Sequence, residues 1–237
     1  MQYSAQMSEA AYNTLIQGDG QMIEAQKPGK NKMLLQAHDV SGSMCGRPME
    51  ALKEACLQLG KRYYDSDKKP FEKFVTMTHH HAIDREFTCA DWSDYEKQVK
   101  SLYANGGNNF LVAFERILAI IKENPGLEEL VIIFVTDGHD CRDGYRGRDY
   151  DQDLIDVAKK IQNFPGLKTS YMCIGFSQHH NATQMNQIAK FGSEQGNFIY
   201  VDTNMNDYQE AINEALGDSF DIALGSNSAV KFQIENQ

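Results

Sequence analysis

Leu130-Val131-Ile132-Ile133-Phe134-Val135, followed at once by Thr136-Asp137-Gly138, is the stretch of this 237-residue chain that decides the fold. Six apolar residues in a row, four of them β-branched, are strand-sized. A strand without polar alternation is buried on both faces, and such strands belong to parallel sheets covered by helices. In open sheets of that kind ligands bind beyond the carboxyl ends of the strands. Asp137 stands at such an end.

Working outward, the neighbours alternate between helical and strand patterns. Upstream, Phe110, Phe114, Ile117 and Ile121 share one helical face, and Pro125-Gly126 ends that helix. Downstream, Leu154, Ala158 and Ile161 mark a helix turned by Pro165-Gly166. A strand over 171–174, a short helix with Met185 and Ile188, a strand over 198–201 and a last helix with Tyr208, Ala211, Ile212 and Ala215 follow. Nearer the N-terminus a strand over 33–37 runs into His38-Asp39. Met49, Leu52, Cys56, Leu59 and Tyr63 then keep helical spacing behind Pro48. A strand over 74–78 pairs antiparallel with one over 83–88, and a helix over 91–103 is broken by Asn105-Gly106-Gly107-Asn108-Asn109. Alternation of this kind predicts an α/β fold: a doubly wound, mostly parallel, Rossmann-like central sheet with one antiparallel edge strand, flanked by helices.

The expected organisation is one domain over 31–218. Residues 1–30 form an N-terminal extension packed on it, read from Gly18-Asp19-Gly20 and Pro28-Gly29 as a helix or turns and a short strand. Residues 219–237 form a C-terminal hairpin or tail, the start of a further domain. No internal repeat or low-complexity segment is present.

Composition narrows the function classes. The formal charge of −10, from 33 acidic and 23 basic residues, argues against nonspecific nucleic-acid binding and against an anionic membrane surface. No apolar run approaches the ~20 residues that cross a bilayer, and the N-terminus lacks an apolar signal core. The five cysteines are odd in number and form no C-x-x-C pair, which points to a reducing, cytoplasmic setting. Cys56 and Cys173 read as small core residues, and Cys45 and Cys141 as incidental loop thiols.

Three loops carry the chemistry. Asp39-Val40-Ser41-Gly42-Ser43 places a carboxylate and two hydroxyls at alternate positions of a tight turn. Asn108 and Asn109 add amide oxygens at the start of a helix, and Asp137 adds the second carboxylate at a strand end. Hard oxygens of this kind suit Mg²⁺, Ca²⁺ or Mn²⁺.

Asp39-x-Ser41-x-Ser43, then Gly106-Gly107, then Thr136-Asp137-Gly138, resembles in sequence and order the metal-ion-dependent adhesion site of the von Willebrand factor type A family, over roughly residues 31 to 216. The resemblance implies an intracellular type of that domain and a metal set of Asp39, Ser41, Ser43, Asn108 and Asp137. In it Ser41 and Ser43 act as direct ligands, Asp39 binds directly or through water, and Asp137 often stands one water removed. Asn108 occupies the place where the family usually has Thr, and Asn109 is the substitute if the loop is shifted by one. The implied cofactor is one divalent cation, Mg²⁺ first, with Ca²⁺ or Mn²⁺ as alternatives. The implied function is a cation-dependent protein-binding module whose partner offers an exposed Asp or Glu, without nucleic acid or membrane insertion and monomeric as an isolated domain.

The same residues allow two other classes. A metal-independent scaffold within a larger protein is the alternative. A metal-dependent phosphohydrolase is the weaker one, because such enzymes need a second Asp two residues after the first and Ser41 stands there. Neither a G-x-S-x-G elbow nor a Walker loop occurs, so no catalytic residue is assigned. His79-His80-His81 reads as a solvated turn and His38 as a packed or hydrogen-bonded histidine. Asp149-x-Asp151-x-Asp153 lacks the Gly and Glu of an EF-hand and reads as the acidic entry to a helix. Arg142, Arg146 and Arg148 of that loop are candidates for choosing an acidic partner.

Overall fold

The computed structural model describes residues 14–17, 21–24, 31–67, 69–137, 140–147, 149–176, 182–192 and 197–201, together with Ala215 and Gly217. Two short strands, β1 (Thr14–Gln17) and β2 (Gln21–Glu24), pair antiparallel with Leu15 opposite Ile23 and Ile16 opposite Met22. This differs from the helix or turns and single strand expected there. Two runs rich in β-forming residues on either side of Gly18-Asp19-Gly20 are a hairpin signal, and local strand preference prevails. The rest of the expected extension, the C-terminal hairpin and most of the last expected helix lie outside the described residues.

The remaining elements follow the alternation read from the sequence: β3 (Lys32–Asp39), α1 (Arg47–Asp65), β4 (Lys73–His79), β5 (Ile83–Phe87), α2 (Trp92–Lys100), α3 (Phe110–Glu123), β6 (Glu129–Thr136), α4 (Tyr150–Gln162), β7 (Lys168–Phe176), α5 (Ala182–Gly192) and β8 (Asn197–Val201). Six strands form one sheet in the order β5-β4-β3-β6-β7-β8. All neighbours are parallel except β4 and β5, which makes β5 the antiparallel edge.

Side chains of the central strands alternate between two apolar cores. Leu34, Val131, Ile133, Val135 and Ile174 pack with Leu52, Leu59, Tyr95 and Val99 of α1 and α2. Met33, Leu35, Ile132, Phe134 and Tyr171 pack with Phe110, Phe114, Ile117, Leu154 and Ile188 of α3, α4 and α5. Burial on both faces is why these strands read as unbroken apolar runs. Where two helices approach closely, glycine makes room: a Cβ at Gly60 of α1 would lie 2.2 Å from the buried ring of Tyr95.

The strand order locates a site. After β3 the chain builds outward to β4 and β5; after β6 it builds the other way to β7 and β8. The reversal makes the carboxyl ends of β3 and β6 the switch point, the place at which doubly wound sheets bind ligands. Those two strands end in Asp39 and Thr136, and Asp137 follows.

Candidate metal centre

Asp39 is fully buried at the last position of β3. Its Oδ1 accepts from the backbone N–H of Ser41 at 2.7 Å, which forms the turn of the loop. Its Oδ2 accepts from Thr136 Oγ1 and from Asn108 Nδ2, each at 2.6 Å. A carboxylate offers about four lone-pair positions, so one is left after these three bonds. The Thr136 bond ties the ends of β3 and β6 together. The sequence pattern gives Thr136 no role of its own; its place on the edge beside Asp137 is the available signal.

Gly42–Met44 forms a single 3-10 turn after Ser41. Ser41 Oγ and Ser43 Oγ lie 3.1 Å apart, and Ser43 Oγ donates to Asp137 Oδ1 at 2.9 Å. The second loop is drawn in by its backbone. Gly42 N–H donates to Gly106 O at 2.9 Å, and Asn105 N–H to Val40 O at 2.7 Å. Room is tight here: a Cβ at Gly42 would stand 3.2 Å from Gly106 O, and one at Gly107 only 1.4 Å from Asp143 Oδ2. Gly107 therefore lets the loop lie against Asp143, and Gly106 lets it lie against His81, contacts no sequence pattern announced.

All five expected ligands thus come together. Asn108 and Thr136 bond Asp39, Ser41 joins Asp39 to Ser43, and Ser43 bonds Asp137, in one hydrogen-bonded cluster. Asn109, the substitute ligand if the loop were shifted, does not join it. It caps α3, accepting from Val112 N–H at 3.4 Å, and its amide donates to Asp143 O at 2.8 Å. Asn108 does not cap; it faces Asp39.

Electrostatics set this cluster apart. Burial and the charge of Asp39 push the Asp137 carboxyl up to about 7, while the bond from Ser43 acts the other way. Asn108 is 2% exposed and its Oδ1 has no hydrogen-bond partner among the described residues. Two adjoining buried acids, two hydroxyls and an unmatched amide oxygen fit a hard cation. Among the described residues no group of three or more His, Cys, Asp or Glu side chains is placed to hold a metal, so any ion here would rely on neutral oxygens for much of its shell.

The histidines divide. His79 does not lie in a solvated turn: it ends β4, is fully buried, and stacks on Phe134 at 5.3 Å between ring centroids. The apolar core beneath the sheet edge claims its ring, and burial lowers its pKa. His80 and His81 make the turn and stack on each other. His38 is packed as expected, 3.3 Å from both Gln36 Oε1 and Cys56 Sγ, and burial with His79 nearby lowers it to about 3. In the loop after Asp137, Asp149 caps α4, accepting from Gln152 N–H at 3.1 Å. Arg142 is held by Asp151 at 2.8 Å and lies over the Tyr150 ring, and Arg148 lies outside the described residues.

No protein-family model matches the chain, and no curated protein matches its sequence. Solved structures do match its fold. A von Willebrand factor type A protein from Catenulispora acidiphila is 18% identical, with a TM-score of 0.60 over 79% of this chain and 42% of its own. The PilB minor pilin from Streptococcus sanguinis is 15% identical, with a TM-score of 0.61 over 86% of this chain and 64% of its own. The vWF domain of the type V pili tip protein Mfa5 from Porphyromonas gingivalis is 10% identical, with a TM-score of 0.58 over 81% of this chain and 96% of that domain. The fold is that of von Willebrand factor type A domains, and the chain spans less than two thirds of the first two proteins.

Proposed function

We propose that this chain is a protein-binding module, not an enzyme, that engages an acidic residue of its partner through one divalent cation. The observation that carries the reading is the cluster at the β3–β6 switch point, where the buried carboxyls of Asp39 and Asp137 adjoin with hydroxyls and an amide around them. Asp39, Ser41, Ser43, Asn108 and Asp137 would hold the ion. When bound, the cation supplies a positive centre that so few charged ligands leave incompletely neutralised, and an acidic side chain of a partner complements it. The chain's own part is to orient: Thr136 and the Ser41 N–H fix the Asp39 carboxylate, Ser43 fixes Asp137, and Gly42 and Gly106 lock the two loops together. Two neighbours of the same fold, a minor pilin and a pilus tip protein, are named for their place in assemblies, which favours an interaction role.

The proposal takes 31–218 as the module, with 1–30 and 219–237 as an extension and a tail. It also keeps the cytoplasmic setting, resting on five cysteines that are free in this structure. Among the described residues no helix is long and apolar enough to cross a membrane.

A second reading, a metal-independent scaffold, has one observation in its favour: the cluster is already knitted by its own hydrogen bonds. Calorimetric titration of chelator-treated protein with Mg²⁺, Ca²⁺ and Mn²⁺, beside Asp39→Ala, separates the two. One saturable site lost in the variant supports the module. Absence of binding at millimolar cation leaves the scaffold.

A further inference from the structure

Asn108 does two jobs with two atoms. Its Nδ2 donates to Asp39 Oδ2 at 2.6 Å. Asp39 there can only accept, so turning the amide over would set oxygen against oxygen; the orientation follows from chemistry. Oδ1 is left buried and without a partner among the described residues, a desolvation cost that nothing there offsets. A hydroxyl at this position has one oxygen for both tasks, bonding Asp39 and meeting an ion. The amide separates them, so its oxygen can bind an ion while Asp39 stays held.

We propose that Asn108 sets the cation preference of the site, binding the ion directly through Oδ1 and tilting selection from Mg²⁺ towards Ca²⁺. This rests on the metal-site reading above. The physical reason is hydration. Mg²⁺ dehydrates reluctantly and keeps several waters in an octahedral shell, whereas Ca²⁺ accepts six to eight oxygens and commonly takes Asn carbonyls. A neutral, anchored amide oxygen adds to the protein's share of the shell without adding charge. That favours the ion that gives up water more readily. The Asp39–Asn108 bond anchors the amide that carries this oxygen.

The test compares wild type, Asn108→Ala and Asn108→Thr. Each chelator-treated protein is titrated calorimetrically with Ca²⁺ and with Mg²⁺, and Tb³⁺ luminescence lifetimes in H₂O and D₂O count the waters on a bound lanthanide. Removing the amide also frees one bond of Asp39, which touches both ions alike, so the readout is the ratio of affinities. The expected result for Asn108→Ala is a Ca²⁺ affinity reduced by ~10-fold or more, the scale on which ligand-shell groups act, a smaller loss for Mg²⁺, and an added water on Tb³⁺. Asn108→Thr moves the ratio in the same direction. An unchanged ratio across the three proteins, or an unchanged water count, overturns the proposal. Wild type that binds neither ion overturns the metal-site reading itself, and this inference with it.

Discussion

The two ends of the central sheet treat charge in opposite ways. At the amino ends of the strands, Lys32 of β3 meets Glu129 of β6 at 2.6 Å, with both side chains partly in water. Asn31 bonds Glu72 and Glu128 there, and Lys73 bonds Asn124. At the carboxyl ends, Asp39 and Asp137 lie buried beside each other, and the groups bonding them are hydroxyls, an amide and a backbone N–H. The first arrangement is a solvated surface with opposite charges side by side, and contributes little. The second gathers like charges out of water, which opposes folding unless something compensates. Charges paired at one end and crowded at the other are the arrangement expected if the proposed cation binds at the crowded end.

The largest expected effect breaks the comparison outright: Asp39→Ala removes cation binding at millimolar concentration, read by calorimetry. Next, Asp137→Asn relieves the crowding while leaving an acceptor for Ser43. In cation-free protein at pH 8 it should raise stability by on the order of a few kcal/mol, since each pK unit corresponds to ~1.4 kcal/mol, and it should remove any gain from cation. Thermal or urea unfolding checks both. Gly107→Ala pushes a methyl into Asp143 and displaces the Asn108 loop, so cation affinity should fall by ~10-fold with the core intact; titration and unfolding together separate the two effects. At the amino end, Lys32→Met should change stability by less than ~1 kcal/mol and leave cation binding alone. A large effect there would erase the distinction between the two ends.

The pH dependence sharpens the same point. Asp137 is raised to about 7 from an ordinary 3.8, so between those values the folded protein holds a proton that the unfolded chain has lost. Its contribution to stability is therefore fully present below pH 3.8 and is lost as pH rises through about 7. His38, lowered to about 3, and His79, lowered as well, run the other way: they favour the fold above the ordinary histidine range and lose that as pH falls. The Asp137 contribution must be read as the difference between wild type and Asp137→Asn across pH 4 to 8.

Much of this was legible beforehand, and for physical reasons. The apolar run 130–135 could only be a doubly buried strand, and Asp39-x-Ser41-x-Ser43 could only place its oxygens together if the strand ended at Asp39, as it does. What was not legible depends on contacts between distant segments. His79 looks like part of a polar histidine run, yet it is the last inward position of β4 and belongs to the core around Phe110 and Phe134. Asn108 and Asn109 are alike in type and adjacent, and only the fold assigns one to Asp39 and the other to the helix cap. The hairpin β1–β2 is hard to read from sequence because Gly18 and Gly20 signal turns beside strands only four residues long.

The most direct test of the central claim is thermal unfolding at pH 8 of wild type and Asp137→Asn, each with chelator and with millimolar Ca²⁺ or Mg²⁺. The expected result is that cation raises the melting temperature of wild type, that Asp137→Asn melts higher than wild type in chelator, and that cation does nothing for the variant. A wild type indifferent to cation, or a variant stabilised as much as wild type, would contradict the claim that the crowded carboxyl edge is a cation site.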